Sequence, residues 1–525
     1  MTLDTSRVRP APRVAVRDGR DAVRPFAEGR GQIELARGRQ QLFDGPVGDA
    51  RESLLLAASL LAEDYPDLAE EARLSAVDSA WAAGDVTACL AILSDMDTPI
   101  RPDGHPHPLR PTATATASPD EPGTGTTGFF RDYRDGVRGL LTRQPEHAVK
   151  PLRRVLEQAR TDGRPERLLR AAKAALMLGD VRAGLTIGAR ALAAARNAGC
   201  AAWEARALEY LAYAELRAGR HAQARAHAEE GVRAAVTAGH RNTAASHHAM
   251  LALAASIEGD TTAVAGHASA ALGTARRHGL AQTATLAEWA TARADLSRGR
   301  PLEAADRLGP LVGPGPRRGH FAVWMLAAPC FVEAAVFAGQ PEDARRVVAG
   351  LDWWAAFGTD PHAKAQLARC RALLTADGQE ADDLFQSALS LHDESVGDFE
   401  RARTELLYGR WLRRRRRLRE ARGRLGSALV AFERCGAGAW ADQARGELRA
   451  NGAASGKDPT AGLSCLTPQQ LRIARHVAEG ATNREVAQRL AVSTRTVDYH
   501  LRNVFVLLGV RSRVELTRIV GQESR

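Results

Sequence analysis

The chain has 525 residues, of which 45% are hydrophobic but only 5% aromatic, and it carries a formal net charge of +10. That length exceeds one ordinary core at about 150 residues per domain, and the shortage of strand-favouring aromatic and β-branched residues against abundant Ala, Leu and Arg excludes a sheet-based fold in favour of an all-α one. The positive excess favours an anionic partner such as nucleic acid and carries no information about fold.

Residues 1–30 read as a tail. They are basic and lack the continuous apolar stretch of a secretory signal, so a cytoplasmic protein is expected. Residues 31–450 are dominated by a repeated phrase of Ala-rich helix, Gly turn and second helix. Gly179, Gly219, Gly259, Gly299 and Gly339 stand 40 residues apart and Gly378 follows 39 later. Ala224, Ala304 and Ala344 each lie five residues beyond a turn glycine, where a small side chain lets two helices cross closely. The phrase continues at Arg416 and Ala421, with Arg in place of the glycine, and extends back to Gly84 and Gly45, the register between Gly84 and Gly179 being left open. A fixed period with two helices per unit is the signature of an α-solenoid, in which each hairpin buries its apolar face only against its neighbours. The array resembles tetratricopeptide repeats with lengthened helices, and this TPR-like resemblance implies a surface for peptides, proteins or small effectors.

Within the array, residues 98–128 are rich in Pro, Thr and Gly without apolar periodicity and read as a disordered insertion. The most apolar stretch, Phe321 to Gly339, is interrupted by Pro329 and Glu333, so it is a buried helix and no membrane span. Six scattered cysteines show no metal-ligand spacing and read as thiols of a reducing compartment. His247, His248, Trp353 and Trp354 read as packing residues, and Arg413 to Arg417 as a solvated face or turn. There is no phosphate-binding GxxxxGK[ST] loop, HExxH or nucleophile elbow, so neither a catalytic residue, a cofactor nor a metal is expected. At Gly456-Lys457-Asp458 an Asp replaces the hydroxyl residue that a phosphate loop needs.

Residues 451–463 form a linker, and from 464 to 525 the helix punctuation is dense. Thr467 with Gln470, Thr482 with Glu485 and Ser512 with Glu515 are capping boxes, and Ser493 caps a further helix, giving a small four-helix domain. In the third helix Val497, Leu501, Val504 and Leu508 recur at i, i+4, i+7 and i+11, one buried stripe, faced by Ile473, Val477, Val486, Leu490 and Val492. Its opposite side displays Arg495, Tyr499 and Arg502, flanked by Thr494, Thr496, Asp498 and Asn503. Such a face fits the major groove, where Arg forks onto guanine and a carboxylate accepts from cytosine. The helix starts at Thr482 and Ser493 offer amides to phosphates, and Asn483 and Arg484, just after the first, are further DNA-binding candidates. From Cys465 onward ten Arg oppose five acids, placing half of the net charge in an eighth of the chain.

The segments LTPQQ, EGATNREVAQRLAVSTRTVDYHLRNVF and LGVRSRVEL closely resemble, in order, the LuxR-type helix-turn-helix domain. The resemblance implies that Asp498, Tyr499 and Arg502 read bases, that Thr494, Arg495 and Thr496 lie near phosphates, and that the fourth helix, from Arg513 to Val520, pairs two copies on double-stranded DNA. Val506 and Leu507 stand where the family usually carries basic residues. The array plus this ending is similar to the C-terminal part of the large MalT-like ATP-binding LuxR regulators, without their ATPase. The expected function is a promoter-binding transcription regulator acting with RNA polymerase, whose repeats sense an effector or protein. The alternative is a repeat scaffold with a DNA anchor.

Overall fold

The structure, a computed structural model, describes residues 19–96, 126–315, 317–357, 361–393, 397–453, 463, 466, 468–490, 492–508, 510 and 512–523. Among these residues there are 25 α-helices and no strand. The array runs from the helix Gly19–Asp44 to the helix Gly438–Leu448, and successive helices pack as neighbours, most of them joined by turns short enough to form antiparallel hairpins. Two of its expected boundaries shift, because Gly19–Asp44 starts inside the segment read as a tail and Thr126–Leu141 starts inside the segment read as an insertion. Residues 97–125 lie outside the described residues.

The turn chemistry explains the regularity. Gly179, Gly219, Gly259, Gly299 and Gly339 all have positive φ, between 71° and 91°, the left-handed conformation that ends a helix without a Cβ clash. In three turns an aspartate follows the glycine: Asp85, Asp180 and Asp260 each accept a hydrogen bond at 2.9 Å from the amide three residues on. One residue thus closes the first helix and the next opens the second. Pro301 and Pro341 open theirs instead at the first helical position.

Gly199, Gly239 and Gly279 are left-handed too, at the turns between hairpins, so a left-handed glycine recurs every 20 residues from Gly179 to Gly299. That half-period was visible in the sequence beside the period of 40. Arg416 occupies the left-handed region at φ 62°, as its place in the repeat requires. Gly378 is a correction, since it opens the helix Gly378–Asp393, and Asp377 caps that helix by accepting from the Gln379 and Glu380 amides. Gly45 is not left-handed either. Ala224, Ala304, Ala344 and Ala421 are all buried where helices cross.

The array coils back on itself. Asp44 pairs with Arg241 at 2.7 Å, and Asn242 donates to the carbonyls of Leu42 and Gly45 at 3.0 and 2.8 Å, nearly 200 positions away in the chain. His320 Nε2 lies 2.6 Å from the Trp81 carbonyl. Further along, Gln443 donates to the carbonyls of Leu296 and Ser297, both at 2.7 Å. The apolar stretch around Pro329 is the buried helix Trp324–Phe337, and none of the described helices is long and apolar enough to cross a membrane.

His247 is fully buried against the Ala205 carbonyl at 3.0 Å, a packing role, and His248 contacts His267. The side chains of Trp353 and Trp354 lie outside the described residues. Of the arginine run, Arg414, Arg415 and Arg416 are exposed at a turn, while Arg413 pairs with Glu447 at 2.9 Å and Arg417 with Asp382 at 3.0 Å. Cys89 and Cys370 are buried, and burial pushes both thiols up to about 12.

Two glycines separate turn geometry from coil contact. A Cβ at Gly239 would meet nothing within 4 Å, whereas one at Gly259 would come within 2.5 Å of Ala439 Cβ. Gly239→Ala should cost about 1–2 kcal/mol, the left-handed penalty alone. Gly259→Ala should cost more, read as a larger drop in thermal midpoint. Equal losses would show that the contact at Ala439 imposes no constraint.

Candidate DNA-binding site

Four helices build the C-terminal domain: Pro468–Ala478, Asn483–Arg489, Thr494–Leu508 and Arg513–Glu523. Ile473, Val486, Val497, Val504 and Leu516 are completely buried at its centre, with Val477, Ala487 and Leu501 around them, so the sequence stripe is the core. Thr482 and Glu485 form the expected reciprocal capping box, with the Thr482 amide donating to Glu485 at 2.7 Å and the Glu485 amide to Thr482 Oγ1 at 3.3 Å. These bonds hold the Glu485 carboxyl below its ordinary pKa. Ser493 accepts from the Thr496 amide at 3.0 Å, and Ser512 from the Glu515 amide at 3.2 Å. Thr467 lies outside the described residues, as do the side chains of Val506 and Leu507.

With the core side of Thr494–Leu508 fixed, 100° of rotation per residue fixes the other. Arg495, Arg502 and Thr494 are exposed there, with Arg484 exposed on the preceding helix. Asp498 is half-buried and accepts from Asn483 Nδ2, while Asn483 Oδ1 accepts from Arg513, so these two expected contact residues brace the second, third and fourth helices against one another. Arg513 also donates to the Ala481 carbonyl at 3.2 Å.

One edge of this face is occupied by the array. The helix Leu418–Arg434 packs on Thr494–Leu508. The Arg434 guanidinium lies 5.4 Å from the Tyr499 ring centroid, and the Tyr499 hydroxyl acts electrostatically on Arg401. Asp398 holds Arg434 at 2.5 Å and Asp393 holds Arg401 at 3.2 Å. Burial and the Arg401 charge lower the pKa of His500, next to Tyr499, which keeps it neutral. Asn503, one turn beyond Tyr499 on the same side, is 3% exposed, and its Oδ1 has no partner among the described residues. The sequence reading placed Asn503 among the DNA contacts; here it is covered. Arg401 and Arg434 carried no sequence signal, because their partner lies about 65 to 100 residues away.

The family model for bacterial regulatory proteins of the LuxR family matches residues 464–520. The C-terminal domain is a LuxR-family helix-turn-helix. Over 196 residues the chain is 32% identical to a Mycobacterium bovis protein called "Putative HTH-type transcriptional regulator", a match covering 36% of this chain and 18% of that protein. The chain therefore spans under a fifth of the mycobacterial relatives it matches. The nitrate/nitrite response regulator NarP of Escherichia coli is 38% identical over 61 residues, 12% of this chain and 28% of that one. Among solved structures, a Rap protein complexed with competence and sporulation factor aligns at 13% identity and a TM-score of 0.44, over 69% of this chain and 98% of that one.

The LuxR-type domain depends on its caps because its second helix, Asn483–Arg489, has only seven residues. Thr482→Ala should cost the domain about 1 kcal/mol, the usual value of an N-cap, seen as a lower denaturation midpoint with the array transition unmoved. An unchanged midpoint would mean that packing alone holds this helix.

Proposed function

We propose that this protein is a sequence-specific DNA-binding transcription regulator, working in the cytoplasm as a dimer on promoter DNA and with RNA polymerase, whose repeat array sets how far the recognition helix is available. The observation that carries it is the LuxR-type recognition helix with Arg495 and Arg502 exposed opposite a fully buried Val497 and Val504. Arg502 and Tyr499 read base edges, Thr494, Arg495, Thr496 and Arg484 lie against phosphates, and Asn483 with Asp498 positions the helix. On Arg513–Glu523, Leu516 and Val520 are buried inward while Val514 stays 79% exposed, an apolar side chain that supports pairing of two copies through this helix.

Magnitudes make the array contact reversible. A cation–π contact at such a site is worth about 0.5–1 kcal/mol, whereas specific DNA binding exceeds non-specific binding by about 4–10 kcal/mol. Docking of Tyr499 thus lowers apparent DNA affinity without abolishing it. An effector that shifts the array away from Tyr499 would raise that affinity by the same factor.

Binding of the full chain to promoter fragments, measured by anisotropy at several salt concentrations, tests this. Affinity should fall linearly with log salt, and Arg502→Ala should weaken specific binding by about 1–3 kcal/mol. The double variant Arg401→Ala, Arg434→Ala should bind several-fold more tightly despite losing two positive charges. Salt-independent retention would sink the DNA reading, and weaker binding by the double variant would sink the docked state.

A further inference from the structure

Where the coil closes it encloses a cavity of about 690 Å³, bounded by the helices Pro66–Ala82, Pro165–Leu178, Ala201–Arg217 and Arg241–Glu258. That volume lies within the range of small-molecule sites, roughly 300–1,000 Å³. Its composition departs sharply from the rest of the chain. Three of the eight tryptophans and three of the six tyrosines line it, in a protein that is 5% aromatic. Trp203, Tyr210, Tyr213 and Phe321 are only half-buried although they face the interior, so their rings leave apolar surface uncovered. Uncovered aromatic surface inside a cavity is free to take up a flat apolar body.

Charge is as unequal as composition. Seven Lys or Arg side chains line the cavity against four Asp or Glu. Near Trp81, Asp78 alone faces two cations, Lys173 at 2.7 Å and Arg170 at 3.1 Å, all three largely buried. Lys173 Nζ stands 4.5 Å from the Trp81 ring centroid and Arg170 5.6 Å from that of Tyr133, so both cations lie against aromatic faces. Arg206 is matched by its own acid, Glu209, and Arg39 by Glu71. Asp78 is shared by two cations, and Glu71, the other carboxylate acting on Arg170, is already paired with Arg39. A cation withdrawn from water in this way is stabilised by a second anion.

We infer that this cavity binds a small aromatic carboxylate, its ring among Trp203, Tyr210 and Tyr213 and its carboxylate completing the charge of Arg170, Lys173 and Asp78. The inference rests on the reading of the array as the sensing half, and it names the ligand class that array takes. The closure contacts Asp44 with Arg241 and His320 with Trp81 adjoin the cavity, since Phe43, Asn242 and Phe321, their neighbours in sequence, line it together with Trp81.

Titration of the full chain with phenylacetate, indole-3-acetate and 1-naphthoate, followed by calorimetry and tryptophan fluorescence, tests the inference without DNA. At least one should bind saturably, and its neutral amide should bind tenfold or more weakly. Lys173→Met should weaken the acid at least tenfold and leave the amide within about twofold. Trp203→Ala, at a half-buried ring outside the charge cluster, should weaken acid and amide alike while the thermal midpoint stays near that of the parent. Absence of saturable binding by all three acids to the folded chain, or equal affinity for acid and amide, overturns it. Failure here leaves the promoter-binding measurement untouched, and a chain that binds the acid but no DNA would overturn the regulator reading alone.

Discussion

A residue in left-handed backbone at the close of helix after helix through the middle of the array is what the rest of the molecule is built upon. From Gly179 to Gly299 it recurs every 20 residues, and the helices between are held to 17 or 18 residues. Equal helices joined by equal turns rotate each hairpin against the last by a constant amount. A constant rotation makes a coil, and a coil of this pitch returns to touch itself at Asp44 and Arg241 and again at Trp81 and His320. The enclosed cavity is a product of turn chemistry before it is a product of any side chain lining it. Where a turn lacks glycine, the conformation persists at a cost, as Arg416 shows.

Much of this was legible in sequence because the signals are local. Gly followed by Asp at 179 and 180 or at 259 and 260 announces a helix end and a helix start within two residues. The stripe Val497, Leu501, Val504 and Leu508 announces which side of its helix is buried. Gly378 misled because Asp377 supplies a cap that makes a left-handed residue unnecessary there, and spacing alone does not distinguish the two ways of ending a repeat. Coil closure was not legible at all. Contacts such as Asn242 to Leu42 join positions 200 apart and depend on the summed rotation of every hairpin between them, a quantity that no single motif encodes.

The exposed side of Thr494–Leu508 shows the same division. Its outward residues follow from periodicity, and Arg495 and Arg502 are exposed as expected. What periodicity does not foresee is that Tyr499 meets Arg434 of the array and Asn503 is buried, or that Asn483 and Asp498 satisfy each other. The side chains that suit base edges, planar amides, carboxylates and rings with a polar tip, are equally suited to bracing a protein surface.

The helix Ala281–Ser297 gives the array a mechanical property. Gln282 and Thr283, at its first turn, line the cavity, and the carbonyls of Leu296 and Ser297, at its last, receive Gln443. Gln443 belongs to the helix Gly438–Leu448, which packs beside Leu418–Arg434, the helix that carries Arg434. At 1.5 Å per residue this is a rigid strut about 25 Å long, and a tilt of a few degrees at one end displaces the other by about 1–2 Å, the size of shift that separates alternative packings at helix interfaces. One helix thus touches the cavity at its first turn and the helix Gly438–Leu448 at its last, two places that lie on different windings of the coil.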